Sequence, residues 1–175
     1  MQNVADINGH ANVEPTTSLT GMQLEVDRAT ENTGEVSPKR ILLVDDYPDA
    51  LEIWGLYLRS MGYDVIEADD GLKAVDLAHL CKPDIIVLDL ELPGITGFEA
   101  ALRLRDSRST RDIPLIAATG YSHVKQLDQA RASGFDSIIV KPCEPAALVA
   151  EIERLLLKAQ QPVRSTAGKR LSQNR

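Results

Sequence analysis

Five residues with chemically useful side chains each stand where an apolar run stops. Asp45 and Asp46 follow Ile41-Leu42-Leu43-Val44, and Asp89 follows Ile85-Ile86-Val87-Leu88. Thr119 follows Leu115-Ile116-Ala117-Ala118, and Lys141 follows Ile138-Ile139-Val140. If the runs are parallel strands of an open α/β sheet, their carboxyl ends share one edge, and ligands bind in the crevice there. Three carboxylates, one hydroxyl and one ammonium then lie on a single rim. Carboxylates that close together repel unless a cation sits among them. The set predicts a hard metal ion, with the hydroxyl and the ammonium left to hold an anion beside it.

Strands and helices must alternate for this to work, and the pattern alternates five times from residue 39. Strands are expected at about 40–45, 64–68, 84–89, 113–118 and 137–140. All but the second are nearly continuous apolar runs, as strands buried on both faces should be. Helices are expected at about 48–61, 70–81, 97–106, 122–133 and 144–160. The first opens with Pro48 and puts Leu51, Trp54 and Leu58 on one face. The second buries Leu72, Val75, Leu77 and Ala78; the third Phe98, Ala101 and Leu102; the fifth Leu148, Ile152 and Leu155. The fourth is only weakly apolar, through Val124, Leu127 and Ala130, as a mobile element would be. Gly62, Gly71, Gly97 and Gly134 mark turns. Such alternation implies a parallel sheet covered on both faces by right-handed crossovers.

Composition bounds the function. A chain of 175 residues suits one domain with a real core, and its 43% apolar content is ordinary for a globular protein. No apolar run approaches the roughly 20 residues of a membrane span. The start has no basic n-region or apolar h-region, so no secretory signal is read there. Two cysteines, Cys81 and Cys143, are too few for a disulfide framework and suggest a cytosolic protein with reduced thiols. The net charge is −7. Both the first 38 residues and the middle of the chain are acidic, which makes the domain a poor duplex-DNA binder. Residues 162–175 carry four bases (Arg164, Lys169, Arg170 and Arg175) and no acid. Residues 1–38 read as a disordered arm, with a short helix around Met22–Arg28 lacking support from its neighbours, and residues 161–175 as a flexible basic tail.

The motifs together resemble a family. Ile41-Leu42-Leu43-Val44-Asp45-Asp46 is similar to the opening of the receiver domain of bacterial response regulators. Asp84 to Gly97, with Pro93 and Gly94, resembles the segment around the receiver's phosphorylated aspartate. Ala117-Ala118-Thr119-Gly120 resembles the switch strand, and Lys141-Pro142 the closing Lys-Pro pair. The separations agree: Asp89 to Thr119 is 30 residues and Thr119 to Lys141 is 22. The resemblance covers about residues 39–160. It implies a flavodoxin-like (βα)5 fold, a three-layer sandwich with strand order 2-1-3-4-5.

The resemblance also implies roles. Asp89 would be the phosphoacceptor, attacking phosphorus to form an acyl phosphate. Mg²⁺, with Mn²⁺ as the alternative ion, would be held by Asp46, Asp89 and the Glu91 backbone carbonyl, with Asp45 acting directly or through water. Lys141 would place its charge on a phosphoryl oxygen and Thr119 would donate its hydroxyl, joined by the N–H groups of Leu90 and Gly120. A cis Lys141–Pro142 bond would aim Lys141 into the rim. The donor would be a sensor histidine kinase or a histidine phosphotransfer protein. The output surface would be the fourth helix, fifth strand and fifth helix, shifted when Thr119 and Lys141 are drawn to the phosphoryl group.

Taken singly, each motif has a plainer reading. Asp45-Asp46 suits a turn and helix cap, Asp69 and Asp70 suit caps of the second helix, and Lys141-Pro142 suits a loop start. His10, His79 and His123 show no metal-ligand spacing, and Arg103, Arg105, Arg108 and Arg111 suit a solvated face. Ile138 stands where receivers carry a Tyr or Phe that swings with the switch Thr, so the usual coupling cannot operate as such. Glu91 and Tyr121 flank the phosphoryl site at positions that tune lifetime in receivers. Nothing after residue 160 is expected to form an effector domain. The chain therefore reads as a stand-alone receiver whose only chemistry is its own phosphorylation and dephosphorylation. Alternatives are a phosphorelay intermediate, a phosphorylation-independent scaffold and a dehalogenase-like phosphatase. The last would need an Asp where Glu91 stands.

Overall fold

The computed structural model describes residues 37–120 and 124–160. The arm before residue 37, its short helix near Met22–Arg28, His10, Tyr121, His123 and the basic tail after residue 160 lie outside the described residues.

The chain alternates strand and helix: β1 (Arg40–Val44), α1 (Pro48–Ser60), β2 (Asp64–Ala68), α2 (Gly71–Cys81), β3 (Ile85–Leu88), α3 (Gly97–Asp106), β4 (Leu115–Thr119), α4 (Val124–Ala132), β5 (Ser137–Val140) and α5 (Pro145–Gln160). The expected order and the expected boundaries hold to within two residues. All strand pairs are parallel, and the sheet order is β2-β1-β3-β4-β5. Chain order reverses beside β1, between β1 and β3, which is where a crevice opens at the carboxyl edge.

Two apolar layers hold the sheet. One face, with Leu42, Val44, Ile86, Leu88 and Ala117, packs on Ala74, Ala78, Ala100, Ala101, Leu104 and Ala130 of α2 to α4. The other, with Ile41, Leu43, Ile85, Val87 and Ile116, packs on Leu51 and Leu58 of α1 and on Leu148, Ile152 and Leu155 of α5. Alternate residues of one strand serve opposite layers, so β1, β3 and β4 must be apolar throughout. The edge strands differ. In β2 only Val65 and Ala68 are buried, and β5, expected to be as buried as the others, is half-exposed along its length.

Three helix faces depart from expectation. In α2 the buried residues are Gly71, Ala74 and Ala78, while Leu72 is 49% exposed. In α3 Ala100, Ala101 and Leu104 are buried and Leu102 is exposed. In α4 Val124 is exposed and Ala130 alone is fully buried. Small residues take most of these inner positions because α2 and α3 lie close to each other and to the sheet, and Leu104 is buried beside them. Trp54 of α1 is half-buried, with Leu51, Gly55 and Leu58 beneath it.

Local signals explain the helix ends. Thr96 caps α3 through a reciprocal capping box with Glu99. Asp70 caps α2 by accepting from the Lys73 N–H, whereas Asp69 pairs with the Lys73 ammonium at 2.9 Å and does not cap.

Candidate functional site

β1, β3, β4 and β5 end side by side, and so do the residues that follow them. Asp45 N–H donates to the Ala68 carbonyl and Asp89 N–H to the Val44 carbonyl, which continues the parallel ladder one step past each strand. Lys141 N–H donates to the Thr119 carbonyl at 2.8 Å. Asp45, Asp89, Thr119 and Lys141 are therefore held by the sheet rather than by loops.

Asp45 and Asp89 are almost fully buried, 3% and 6% exposed. Their carboxylates converge on one group: Lys141 Nζ donates to Asp45 Oδ2 at 2.5 Å and to Asp89 Oδ2 at 2.6 Å. Burial alone would pull the Lys141 ammonium below its ordinary value. The hydrogen bonds and negative charges of Asp45 and Asp89 outweigh it, and the net direction is up. The other carboxylate oxygens are occupied by backbone. Asp45 Oδ1 accepts from Tyr47 N–H and Asp89 Oδ1 from Glu91 N–H, each at 3.0 Å. Asp46 is exposed, as is Glu91, whose carboxylate reaches toward Gly120. Thr119, expected as a rim hydroxyl, is fully buried. The Lys141–Pro142 peptide is cis, as expected.

The expected set of three carboxylates is thus two buried ones sharing an ammonium, with Asp46 at the exposed lip. Among the described residues no three Asp, Glu, His or Cys side chains already converge as a metal cage. The donors still fit a small hard cation. All are oxygens, and one lysine offsets only one of the three carboxylate charges. An ion that keeps much of its own water needs few protein oxygens. Asp45, Asp46, Asp89 and the Glu91 carbonyl are the groups that would hold it.

Backbone packing fixes the nucleophile candidate. Gly97 N–H donates to the Leu90 carbonyl, and a Cβ on Gly97 would collide with the carbonyl oxygen of Asp89. Glycine is required because the first turn of α3 lies directly on the Asp89–Leu90 peptide. Gly71 is similarly tight against Ile95, with 2.6 Å from a hypothetical Cβ to the Ile95 carbonyl oxygen. Ile138, in place of an aromatic residue, packs partly buried against the α2–α4 layer.

Sequence reasoning assigned Arg105 to a solvated face. It is instead mostly buried and donates four hydrogen bonds at the opposite end of the sheet. Only its place one residue before the end of an amphipathic helix hinted at this. Cys81 and Cys143 are free thiols, as expected, and burial pushes Cys143 up.

Known proteins resemble this chain in sequence and fold. The family description "Response regulator receiver domain" matches residues 41–153. The DNA-binding dual master transcriptional regulator RpaA of Synechocystis is 38% identical over 67% of this chain, which spans 48% of that protein. The polar-differentiation response regulator DivK of Brucella anthropi is 30% identical over 68% of this chain and 97% of its own length. The chain thus spans about half of RpaA and nearly all of DivK. Among solved structures, the receiver domain of sensor histidine kinase PA1611 from Pseudomonas aeruginosa, with a magnesium ion coordinated in its active site cleft, superposes with a TM-score of 0.65. It is 30% identical, covering 68% of this chain and 98% of that one. The chain belongs to the response regulator receiver domain family, whose members work in two-component signalling. No described helix is long and apolar enough to cross a membrane.

Proposed function

We propose that Asp89 accepts a phosphoryl group from a histidine kinase or a histidine phosphotransfer protein, and that the resulting change in charge switches a protein-binding surface. The observation that carries this is the convergence of buried Asp45 and Asp89 on one Lys141 ammonium at the carboxyl edge of the sheet.

The Asp89 carboxylate attacks phosphorus, the bond to the donor nitrogen breaks, and an acyl phosphate forms. When bound, Mg²⁺ supplies the charge that offsets repulsion between that carboxylate and the phosphoryl oxygens. Asp45, Asp46, Asp89 and the Glu91 carbonyl would hold the ion. Lys141, already 2.6 Å from Asp89, transfers its hydrogen bond to a phosphoryl oxygen. Thr119 turns its hydroxyl to another, and the N–H groups of Leu90 and Gly120 complete the cradle. The acyl phosphate carries about −2 where the free carboxylate carried about −1, and this added charge with the new acceptor oxygens favours the arrangement with Thr119 and Lys141 drawn in.

The output surface is the face of α4, β5 and α5. There Val124, Val140 and Leu157 are exposed. A second reading, passage of phosphate onward to a phosphotransfer protein, is favoured by Tyr47, Ile53 and Leu56. These expose apolar surface on α1 beginning at the rim of the site. Glu91, exposed beside the phosphoacceptor, restricts the attacking water, so the phosphoryl group is long-lived; a dephosphorylation half-life of seconds would sink that part. The receiver is residues 39–160.

Incubation with Mg²⁺ and acetyl phosphate, read by intact mass, tests the reading. The parent gains one phosphoryl group and Asp89→Asn gains none. No gain in the parent, together with no binding of beryllium fluoride, would leave a scaffold with a receiver fold.

A further inference from the structure

The two ends of α4 are held very differently. At its C-terminal end Ala130 is fully buried, and Ser133 and Phe135 just beyond it are buried too. Around them Arg105, on the last turn of α3, gathers four acceptors. Its Nε donates to the Gly134 carbonyl at 2.9 Å. One terminal nitrogen donates to the carbonyls of Arg111 and Ile113 at 2.6 and 2.7 Å. The other donates to Asp136 Oδ2 at 2.8 Å. That same carboxylate oxygen accepts from Leu115 N–H at 2.9 Å, and Asp136 N–H donates to the Leu115 carbonyl at 2.9 Å. The stem of Arg105 lies flat on Gly134, whose φ is +91° and where a Cβ would come within 2.8 Å of Arg105 Cγ. One guanidinium thus fastens the exit of α4 to the end of α3 and to the starts of β4 and β5. Charged hydrogen bonds in this half-dry setting are stronger than ordinary ones.

The first half of α4 has nothing comparable among the described residues. Val124 is 71% exposed, Lys125, Asp128 and Gln129 are exposed, and Gln126 and Leu127 are half-buried. Gln126 Oε1 is buried without a hydrogen-bond partner, so the packing beneath this half leaves a polar atom unsatisfied. This half begins five residues after Thr119.

We infer that α4 is a lever with a fixed hinge, in which Arg105 clamps the C-terminal end at Gly134 and Asp136 while the Val124–Gln129 half moves when Asp89 is modified. The moving half rests on the phosphoacceptor reading above; the clamp does not. Lysine cannot replace Arg105, because one ammonium cannot span three carbonyls and a carboxylate in a fixed fork.

Hydrogen exchange read by mass spectrometry on the full chain, with and without Mg²⁺ and beryllium fluoride, tests both halves. In the parent, beryllium fluoride should change exchange over 124–129 and leave 131–136 unchanged. In Arg105→Lys, exchange over 131–136 should rise about tenfold in the free protein, the scale of losing one or two charged hydrogen bonds. Beryllium fluoride should then perturb that segment as well. Asp136→Asn keeps the packing but loses the ion pair, and should show the same effect more weakly. A parent in which 131–136 responds as strongly as 124–129 overturns the lever. Unchanged free-state exchange over 131–136 in both variants overturns the clamp. A parent with no response anywhere overturns the phosphoacceptor reading and the lever together, while the free-state comparison still decides the clamp.

Discussion

Lys141 has two jobs that pull against each other. In the resting structure it is the counter-ion for Asp45 and Asp89, yet the proposed chemistry needs it on a phosphoryl oxygen. Removing one partner of a buried ionic cluster costs more than the cluster contributes, because the remaining charges stay desolvated. Lys141→Met should therefore destabilise the metal-free protein by about 2 kcal/mol, below the full buried-pair penalty because the lysine is partly exposed. Added Mg²⁺ should raise the Tm of this variant more than that of the parent. Equal shifts in thermal melts would show that the ion does not take over the charge that Lys141 now neutralises.

At the element scale the most constrained contact is α3 against the Asp89 peptide. Gly97→Ala forces a methyl group into the Asp89 carbonyl, and should cost about 1–3 kcal/mol by chemical denaturation and slow phosphorylation by acetyl phosphate. Thr96→Ala removes the capping box one residue earlier and should cost only about 1 kcal/mol, with phosphorylation unchanged. An equal loss of phosphorylation in both would mean that helix stability, not close approach, positions Asp89. On α5, Arg154 holds Glu151 down to about 2, through paired hydrogen bonds at 2.6 and 2.8 Å. A depressed folded value gives stability that is present above the ordinary glutamate range and lost as pH falls from about 4.5 toward 2. Because the Arg154 side chain is half exposed and water screens the pair, its contribution is under about 1 kcal/mol. Glu151→Gln should lower stability at neutral pH by that amount and leave it almost unchanged near pH 2, so the acid limb of a stability–pH curve becomes flatter.

Across the whole molecule, the site is a property of the sheet edge, so an ion bound there stabilises the entire fold. At a hundred times its Kd, Mg²⁺ should add about 2.7 kcal/mol to unfolding free energy, and EDTA should remove it. Asp46→Ala should abolish most of that gain while leaving the metal-free stability near the parent's, since Asp46 is exposed. A full Mg²⁺ gain in that variant would move the ion away from the acidic pair. The clamp at Arg105 lies at the opposite edge of the sheet, and changes there should leave this gain intact.

The alternation of elements, the parallel sheet and the rim membership of Asp45, Asp89, Thr119 and Lys141 were legible in the chain, because apolar runs buried on both faces have little alternative and strand ends are marked where the run stops. The family resemblance added the strand order and the roles expected of those residues. Only tertiary structure decided that Lys141 stands between Asp45 and Asp89, that Thr119 is buried, and that Asp46 lies at the open lip. Distances between residues 52 to 96 positions apart depend on strand register, which periodicity does not contain. The exposed Leu72 and Leu102 were misread because helical spacing reports a stripe of apolar residues, not how near the neighbouring helix comes. Arg105 was misread for the same reason. Its sequence context is that of a surface arginine, and its four acceptors come from two other segments of the chain, the stretch before β4 and the α4–β5 connection, brought together only when the fold closes.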